Sequence, residues 1–142
     1  LMNRSTRAAR YTTKPMARHL EDSAQASVVL AQIEDVEGVD NIDAIAAVDG
    51  IDCLFIGRAD LTVALGAASP NDPQVVAAVE RVCRAGQAAG RPTGMFLSDL
   101  NELPKWRDLG ATVFLLSSDH GCMLAGARQL AERFQSIVGG GR

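Results

Sequence analysis

The sequence has no hydrophobic run that approaches the roughly 20 residues needed to cross a membrane as a helix. It also has no excess of basic residues, since its formal net charge at pH 7 is −3. Nucleic acid and acidic membrane surfaces are therefore poor candidates for its main partner. A small anionic ligand is compatible with this charge, because one local site decides whether such a molecule binds.

Cysteines are few, and the sequence does not arrange them in pairs. Cys53, Cys83 and Cys122 stand singly, with no CxxC spacing. This pattern indicates reduced thiols in the core of a cytoplasmic protein, and not a disulfide framework or a zinc site. Neither His19 nor His120 has neighbours in the sequence that would activate a thiol, so a catalytic cysteine is not favoured. We expect His19 to be a surface residue.

The composition does supply enough apolar material for one core. The chain has 142 residues, of which 47% are hydrophobic and 22% are charged, as in an ordinary globular protein. We expect a single domain over residues 1–142, with a loop and a short helix in residues 1–25. Four βα units would follow in residues 28–138.

Short apolar runs alternate with helical patterns along these units. The runs predict four strands, at residues 28–33, 51–56, 91–97 and 112–117. The helical patterns cover residues 15–23, 39–46, 61–69, 73–89, 101–109 and 122–138. Strict alternation of this kind predicts an α/β fold with a parallel sheet, whose ligand site lies at the carboxyl ends of the strands.

Local signals refine three of these elements. Asp72 is placed to cap a helix that starts at Pro73, and Gly90 is placed to end it. Gly86 lies on the apolar face of that helix, where the lack of a side chain lets a neighbouring backbone come close. Gly94 is at a point in the third strand where a side chain would crowd a ligand or a neighbour. We expect the last helix to pack against the fold through Met123, Leu130, Phe134 and Ile137.

Two carboxylates, Glu34 and Asp60, each follow a predicted strand of one βαβ unit, residues 28–61. In such a unit the carboxyl ends of the two strands lie side by side, about 5 Å apart if the strands pair directly. Alternation places Gln32 and Glu34 on one face of the first strand, where polar groups are costly to bury without a use. Two carboxylates without a nearby His or Cys favour a hard cation, Mg²⁺ or Mn²⁺. Alternatively, Glu34 is simply the first solvated residue after its strand, and Asp60 caps the next turn.

The same unit carries four short motifs, which are Gln32-Ile33-Glu34, Val39-Asp40-Asn41-Ile42-Asp43, Val48-Asp49-Gly50-Ile51-Asp52 and Phe55-Ile56-Gly57-Arg58-Ala59-Asp60-Leu61. This series resembles the HpcH/HpaI aldolase family, which are class II, metal-dependent aldolases acting on 2-keto acids. The resemblance implies a (β/α)8 TIM-type barrel, of which this chain would form about four strands, the C-terminal half. Since a lone half-barrel exposes two strand edges and an apolar interior, we expect a homo-oligomer unless the other half belongs to the same polypeptide.

The resemblance also assigns roles to individual residues. Glu34 and Asp60 match the metal ligands of the family, and Gln32 matches a polar position near the 2-keto acid. Backbone amides from Gly57 to Asp60, including that of Ala59, would hold the substrate carboxylate. Arg58 departs from the proline expected in a GPAD-type motif, and it would either orient an anionic substrate or form an ion pair on the surface.

The implied activity is the reversible aldol cleavage of a 4-hydroxy-2-keto acid to pyruvate and an aldehyde. The acid–base histidine and the arginine that binds the 2-keto acid would come from the N-terminal half, and no residue here matches them. A relative of citrate lyase β or malyl-CoA lyase is an alternative, and so is an inactive half-barrel that self-associates. Ser118, Asp119 and His120 follow the fourth strand and would either contact substrate or, through Ser118 or Asp119, cap the last helix.

Overall fold

A four-stranded parallel sheet forms the centre of the computed structural model, which describes residues 7–11 and 13–139. The strands are β1 (Leu30–Ile33), β2 (Cys53–Ile56), β3 (Thr93–Leu97) and β4 (Val113–Leu116). They pair in chain order, and every pair is parallel. The predicted α/β fold with a parallel sheet is therefore confirmed.

Seven α-helices accompany the sheet in the described residues. They are α1 (Met16–Ala26), α2 (Val36–Asp40), α3 (Ile42–Ala46), α4 (Arg58–Ala64), α5 (Pro73–Ala89), α6 (Leu103–Asp108) and α7 (Asp119–Gly139), with short 3-10 helices at Arg7–Ala9 and Leu100–Glu102. The pattern predicted at 39–46 is split between α2 and α3, and α4 begins at Arg58, before the predicted residue 61. Within the described ranges, no helix combines the length and the apolar character that a membrane span requires.

Each strand begins slightly later than the apolar run predicted. At the start of β1, the Val29 N–H donates to Asp52 Oδ2 at 2.8 Å, while the Val29 carbonyl accepts from the Asp52 N–H at 2.9 Å. The Asp52 carboxylate thus accepts the hydrogen bond that a backbone carbonyl of the neighbouring strand would otherwise accept, and β1 begins one residue later, at Leu30. The carboxyl ends of β1 and β2 fall where the sequence predicted them, at Ile33 and Ile56.

One face of the sheet packs on α5. Val75, Val79 and Val82 of this helix are fully buried, as is Leu54 of β2. The predicted capping signals are confirmed, because Asp72 Oδ1 accepts from the Gln74 N–H at 3.3 Å and Gly90 adopts φ +65°. These contacts form the core that supports the strand ends.

Two glycines allow close contact between elements. A Cβ on Gly86 would lie 2.4 Å from Thr93 Cγ2, so the absence of a side chain lets α5 approach β3, as predicted. A Cβ on Gly94 would lie 2.6 Å from the Val113 carbonyl oxygen. Gly94 therefore makes room for its neighbour strand β4.

The other face of the sheet is open within the described part of the chain. Leu30 and Phe96 are each 43% exposed, and Leu115 is 52% exposed. In a closed (β/α)8 barrel, side chains on this face fill the interior. The sheet therefore presents an apolar surface that its own described residues do not cover.

The prediction that α7 packs against the fold is wrong for this chain. None of its side chains is buried in residues 7–11 and 13–139, and the four apolar residues expected to pack are between 66% and 71% exposed: Met123, Leu130, Phe134 and Ile137. The helical spacing of apolar residues predicts that one face of α7 packs against a protein surface, but it does not identify that surface.

Two smaller predictions about burial also need correction. His19 is only 9% exposed and is the buried residue of α1, although we expected it at the surface. Cys53 and Cys83 are buried free thiols as expected, whereas Cys122 lies exposed on α7. Burial raises the pKa values of the Cys53 and Cys83 thiols, which keeps them protonated and unreactive.

Candidate active site

The carboxyl ends of β1 and β2 carry the two carboxylates singled out in the sequence. Parallel pairing puts Ile33 opposite Ile56, and the Gly57 N–H donates to the Ile33 carbonyl at 2.9 Å. Glu34 therefore leaves β1 beside the point where Gly57 leaves β2. Asp60 follows in the first turn of α4. The βαβ unit thus places both carboxylates at the same end of two directly paired strands.

Gln32 and Glu34 interact directly. Gln32 Nε2 donates to Glu34 Oε2 at 2.5 Å, while Ile33 between them is 3% exposed and packs in the core. The alternation predicted for this strand is confirmed. The amide of Gln32 thus contacts the Glu34 carboxylate, and both side chains face solvent.

Gly57 provides the space in which this pair sits. A Cβ at this position would lie 2.8 Å from Glu34 Cβ, and 3.3 Å from both Glu34 Oε2 and Gln32 Nε2. The backbone of Gly57 has φ −83°, which any residue can adopt. The glycine is therefore needed for space and not for conformational freedom.

A cleft of about 370 Å³ opens beside these residues. Its polar boundary consists of Gln32, the stretch 57–60 and Ser98, and its apolar boundary consists of Phe55, Ile56, Pro70 and Phe96. The sequence interpretation did not single out Ser98, Phe55, Phe96 or Pro70. Alternation along β3 and the residue that follows it puts Phe96 and Ser98 on the same face. This pattern in the sequence could have identified these two residues of the cleft.

A second cleft of similar volume, about 380 Å³, lies at the opposite end of the sheet. Its boundary includes Leu20, Val29 and Asp52, and the Asp52 carboxylate already accepts a hydrogen bond from the Val29 backbone. This cleft therefore offers no free pair of carboxylates. The cleft at the carboxyl ends of the strands is the better candidate for chemistry.

Arg58 forms an interior ion pair. Its Nη2 lies 2.6 Å from Glu102 Oε2, and its side chain is 9% exposed. Its guanidinium carbon lies 4.6 Å from the centre of the Trp106 ring, within cation–π range. Of the two predicted alternatives, the ion pair is present, but it lies inside the fold and not on the surface.

The electrostatics of this pair are set by opposing effects on Glu102. Burial alone would raise the pKa of the Glu102 carboxyl, but hydrogen bonds from Arg58 and Asn71, together with the Arg58 charge, outweigh it. The net result is a Glu102 pKa below its ordinary value. Glu102 is therefore ionised at neutral pH, and its negative charge balances the positive charge of the Arg58 guanidinium.

The Ser118–Asp119–His120 segment lies at the start of α7. The Gly121 N–H donates to Ser118 Oγ at 3.2 Å, which confirms the predicted capping role of Ser118. His120 Nδ1 lies 3.2 Å from Asp119 Oδ1, and both side chains are more than 80% exposed. This arrangement caps a helix, and it does not resemble a buried acid–base dyad.

The donor set fits a hard divalent cation. Glu34 and Asp60 offer carboxylate oxygens, the ligands that Mg²⁺ and Mn²⁺ prefer. Throughout the described ranges there is no cluster of three or more His, Cys, Asp or Glu side chains suited to a metal. Mg²⁺ is usually bound by one or two carboxylates and keeps its other positions for water or substrate oxygens, so two carboxylates are a sufficient protein donor set.

The fold and the site together define an α/β chain of four βα units with a candidate site at the strand carboxyl ends, consistent with half of a TIM-type barrel. The sequence profile described as HpcH/HpaI aldolase/citrate lyase matches residues 2–125. The chain belongs to this family.

Relatives and solved structures give the same assignment. A 4-hydroxy-2-oxo-heptane-1,7-dioate aldolase of Salmonella typhimurium is 37% identical over 129 residues, which cover 90% of this chain and 48% of that protein. A hydroxypyruvate/pyruvate aldolase of Pseudomonas aeruginosa is 35% identical over 130 residues, covering 91% and 48%. A crystal structure of a family member from Burkholderia cenocepacia superposes with a TM-score of 0.81 at 33% identity, covering 96% of this chain and 52% of that one. The chain spans about half the length of the curated relatives it matches.

Proposed function

We propose that this protein takes part in the metal-dependent, reversible aldol cleavage of a 4-hydroxy-2-keto acid to pyruvate and an aldehyde. The main supporting observation is the position of the two carboxylates after directly paired strands: Asp60 lines the cleft, and Glu34 is hydrogen-bonded to Gln32, which also lines it. The family and the names of its aldolase relatives support the same reaction class.

In this proposal, Glu34 and Asp60 hold Mg²⁺ or Mn²⁺. A bound divalent cation supplies Lewis-acid chemistry to the 2-keto group of the substrate. Gln32 keeps the Glu34 carboxylate in position through its hydrogen bond. Asp60 lies in the first turn of α4, so its position depends on the orientation of that helix.

The backbone amides of residues 58–60, at the start of α4, would bind the substrate carboxylate, whereas the Gly57 N–H is already donated to the Ile33 carbonyl. The first N–H groups of a helix have no partner within it, and residues 57–60 line the cleft. Ala59 carries a small side chain at this boundary, which leaves the backbone accessible. Arg58 would contribute its backbone here, because its guanidinium is committed to Glu102.

Completion of the site requires further βα units. The proposed acid–base histidine and substrate-binding arginine have no match in this chain, which spans about half of its relatives. The open face of the sheet, with Leu30, Phe96 and Leu115 exposed, supports association with additional strands. We propose a homo-oligomer when the chain stands alone, and we expect efficient turnover only where the missing residues are supplied, since lost acid–base catalysis is worth about 10²–10⁴-fold.

Pyruvate release from a 4-hydroxy-2-keto acid, measured with and without Mn²⁺ alongside the intact mass and oligomeric state, tests this function. We expect Mn²⁺-dependent turnover that is lost in Glu34→Ala and in Asp60→Ala. Glu37→Ala is a matched control, because it removes an exposed carboxylate from α2 outside the cleft. Turnover that survives both site substitutions, or that does not depend on metal, would contradict the proposal.

A citrate lyase-like reaction is the second candidate, because the family description itself includes citrate lyase. Such an enzyme would use the same two carboxylates but would also need to bind a larger thioester. Parallel assays with CoA thioesters and with simple 4-hydroxy-2-keto acids separate the two. Mn²⁺ binding without turnover of either substrate class would instead indicate an inactive half-barrel.

A further inference from the structure

The short helix α4 carries Asp60 but has little to hold it in place. It contains seven residues, and Leu61 is its one buried residue. A helix of this length is not stable by itself in water, so contacts with the rest of the fold determine its orientation. One buried residue does not fix the rotation of α4 about its own axis. The direction of the Asp60 carboxylate therefore depends on a second contact between α4 and the rest of the fold.

Arg58, the first residue of α4, is fixed on two sides. Its Nη2 lies 2.6 Å from Glu102 Oε2, and its guanidinium stacks over Trp106, which is fully buried. Nε and Nη1 of Arg58 are also buried and have no hydrogen-bond partner in the described part of the chain. The buried charge of Arg58 therefore depends strongly on Glu102.

Glu102 is itself held by two further segments. Its Oε1 accepts from Asn71 Nδ2 at 3.2 Å, and its Oε2 accepts from Trp106 Nε1 at 3.4 Å. Asn71 precedes α5, and Trp106 lies in α6, which follows β3. Glu102 thus joins the start of α4 to α6 and to the segment that precedes α5.

The geometry of a helix links this attachment to Asp60. Successive residues turn by about 100°, so residues two apart point in nearly opposite directions and residues three apart share a face. Leu61 is fully buried, and the side chain of Arg58 is only 9% exposed. Asp60, two residues after Arg58, is consequently exposed, and it lines the cleft.

We propose that Arg58 is a positioning residue, whose ion pair with Glu102 sets the rotation of α4 and so directs the Asp60 carboxylate into the cleft beside Glu34. The proposal rests on the proposed function in treating Asp60 as a metal ligand. In this role Arg58 links α4 to the next βα unit through a side-chain contact.

The first test compares Mn²⁺ dissociation constants of the purified protein and its variants, measured from the free Mn²⁺ signal in electron paramagnetic resonance. We expect Arg58→Met and Glu102→Gln each to weaken binding about 10-fold or more, as loss of a group that orients a metal ligand commonly does. The double variant should be no weaker than Arg58→Met alone. Arg58→Lys should recover part of the affinity, because it restores the charge without the planar stacking.

Arg81→Met is the matched control. Arg81 pairs with Asp43, with Nη2 to Oδ2 at 2.5 Å, and this pair joins α5 to α3 away from the cleft. This substitution also removes an arginine ion pair, but it should change the Mn²⁺ dissociation constant by less than about twofold. Wild-type affinity in folded Arg58→Met would overturn the proposal.

Hydrogen exchange of the metal-free protein separates this proposal from the proposed function. Backbone amides of α4 should exchange several-fold faster in Arg58→Met than in Arg81→Met, because α4 loses its second attachment. If the wild type binds no Mn²⁺, the metal function fails, and faster exchange still supports the attachment of α4 by Arg58. Unchanged exchange overturns that attachment whether or not metal binds.

Discussion

Replacing Gly57 with Ala adds one methyl group between the ends of β1 and β2. That methyl would lie 2.8 Å from Glu34 Cβ, whereas carbon atoms in contact are about 3.5–4.0 Å apart, so one of the two must move by about 1 Å. The backbone at φ −83° accepts Ala without strain. The clash therefore falls on Glu34 and on its hydrogen bond with Gln32.

The size of the effect follows from this displacement. Overpacking of this kind costs about 1–3 kcal/mol, and the stiffer unfolded chain of an Ala variant offsets about 0.4–1 kcal/mol of that loss. Movement of a reacting or ligating group by about 1 Å can reduce turnover by about 100-fold. We expect Gly57→Ala to reduce the free energy of unfolding modestly and the Mn²⁺ affinity strongly.

Gly86→Ala distinguishes these two consequences. Its Cβ would lie 2.4 Å from Thr93 Cγ2 and 3.0 Å from the Arg91 carbonyl oxygen, in the contact between α5 and β3. Urea denaturation should show a loss of stability in Gly86→Ala at least as large as in Gly57→Ala. Mn²⁺ affinity should fall only in Gly57→Ala, and equal affinities in the two folded variants would refute the reasoning.

Two further predictions concern stability. The pKa of Glu102 is lower in the folded protein than its ordinary value of 4.5. The ionised carboxylate therefore contributes fully to the free energy of unfolding above pH 4.5, and this contribution is lost as the pH falls through the lower pKa of the folded state. Urea titrations should therefore show a smaller loss of stability on acidification in Glu102→Gln than in the wild type. Arg91 donates to the carbonyls of Ala46, Val48 and Ile51, so Arg91→Met should lower the free energy of unfolding by about 2–4 kcal/mol. Mn²⁺ affinity of the folded Arg91→Met variant should be unchanged, since these carbonyls lie at the amino end of β2.

The sequence was sufficient to predict the order of elements and the position of the candidate carboxylates. Alternation from Leu30 to Glu34 separated the two faces of β1, and the signals at Asp72, Pro73 and Gly90 located α5. These predictions succeed because each depends on residues close together in the chain. The parallel pairing of the strands followed from alternation, since βα units build parallel sheets.

The failures depend on contacts between distant residues. Nothing next to Arg58 in the sequence points to Glu102, which lies 44 residues away, so the interior ion pair was not foreseen. The apolar spacing of Leu130 and Phe134 on α7 gave no information about which surface covers them. Burial of His19 was missed for the same reason, because hydropathy describes a residue and not its surroundings.

The chain contains a single tryptophan, and its location makes it useful for spectroscopy. Trp106 lies close to two cations, with Lys105 Nζ 4.2 Å and the Arg58 guanidinium carbon 4.6 Å from its ring centre. The emission of an indole responds to nearby charge, so fluorescence from this one residue reports directly on the segments that follow β2 and β3. A movement of α4 or α6 that displaces either cation should therefore change this emission, without a label and without any background from a second indole.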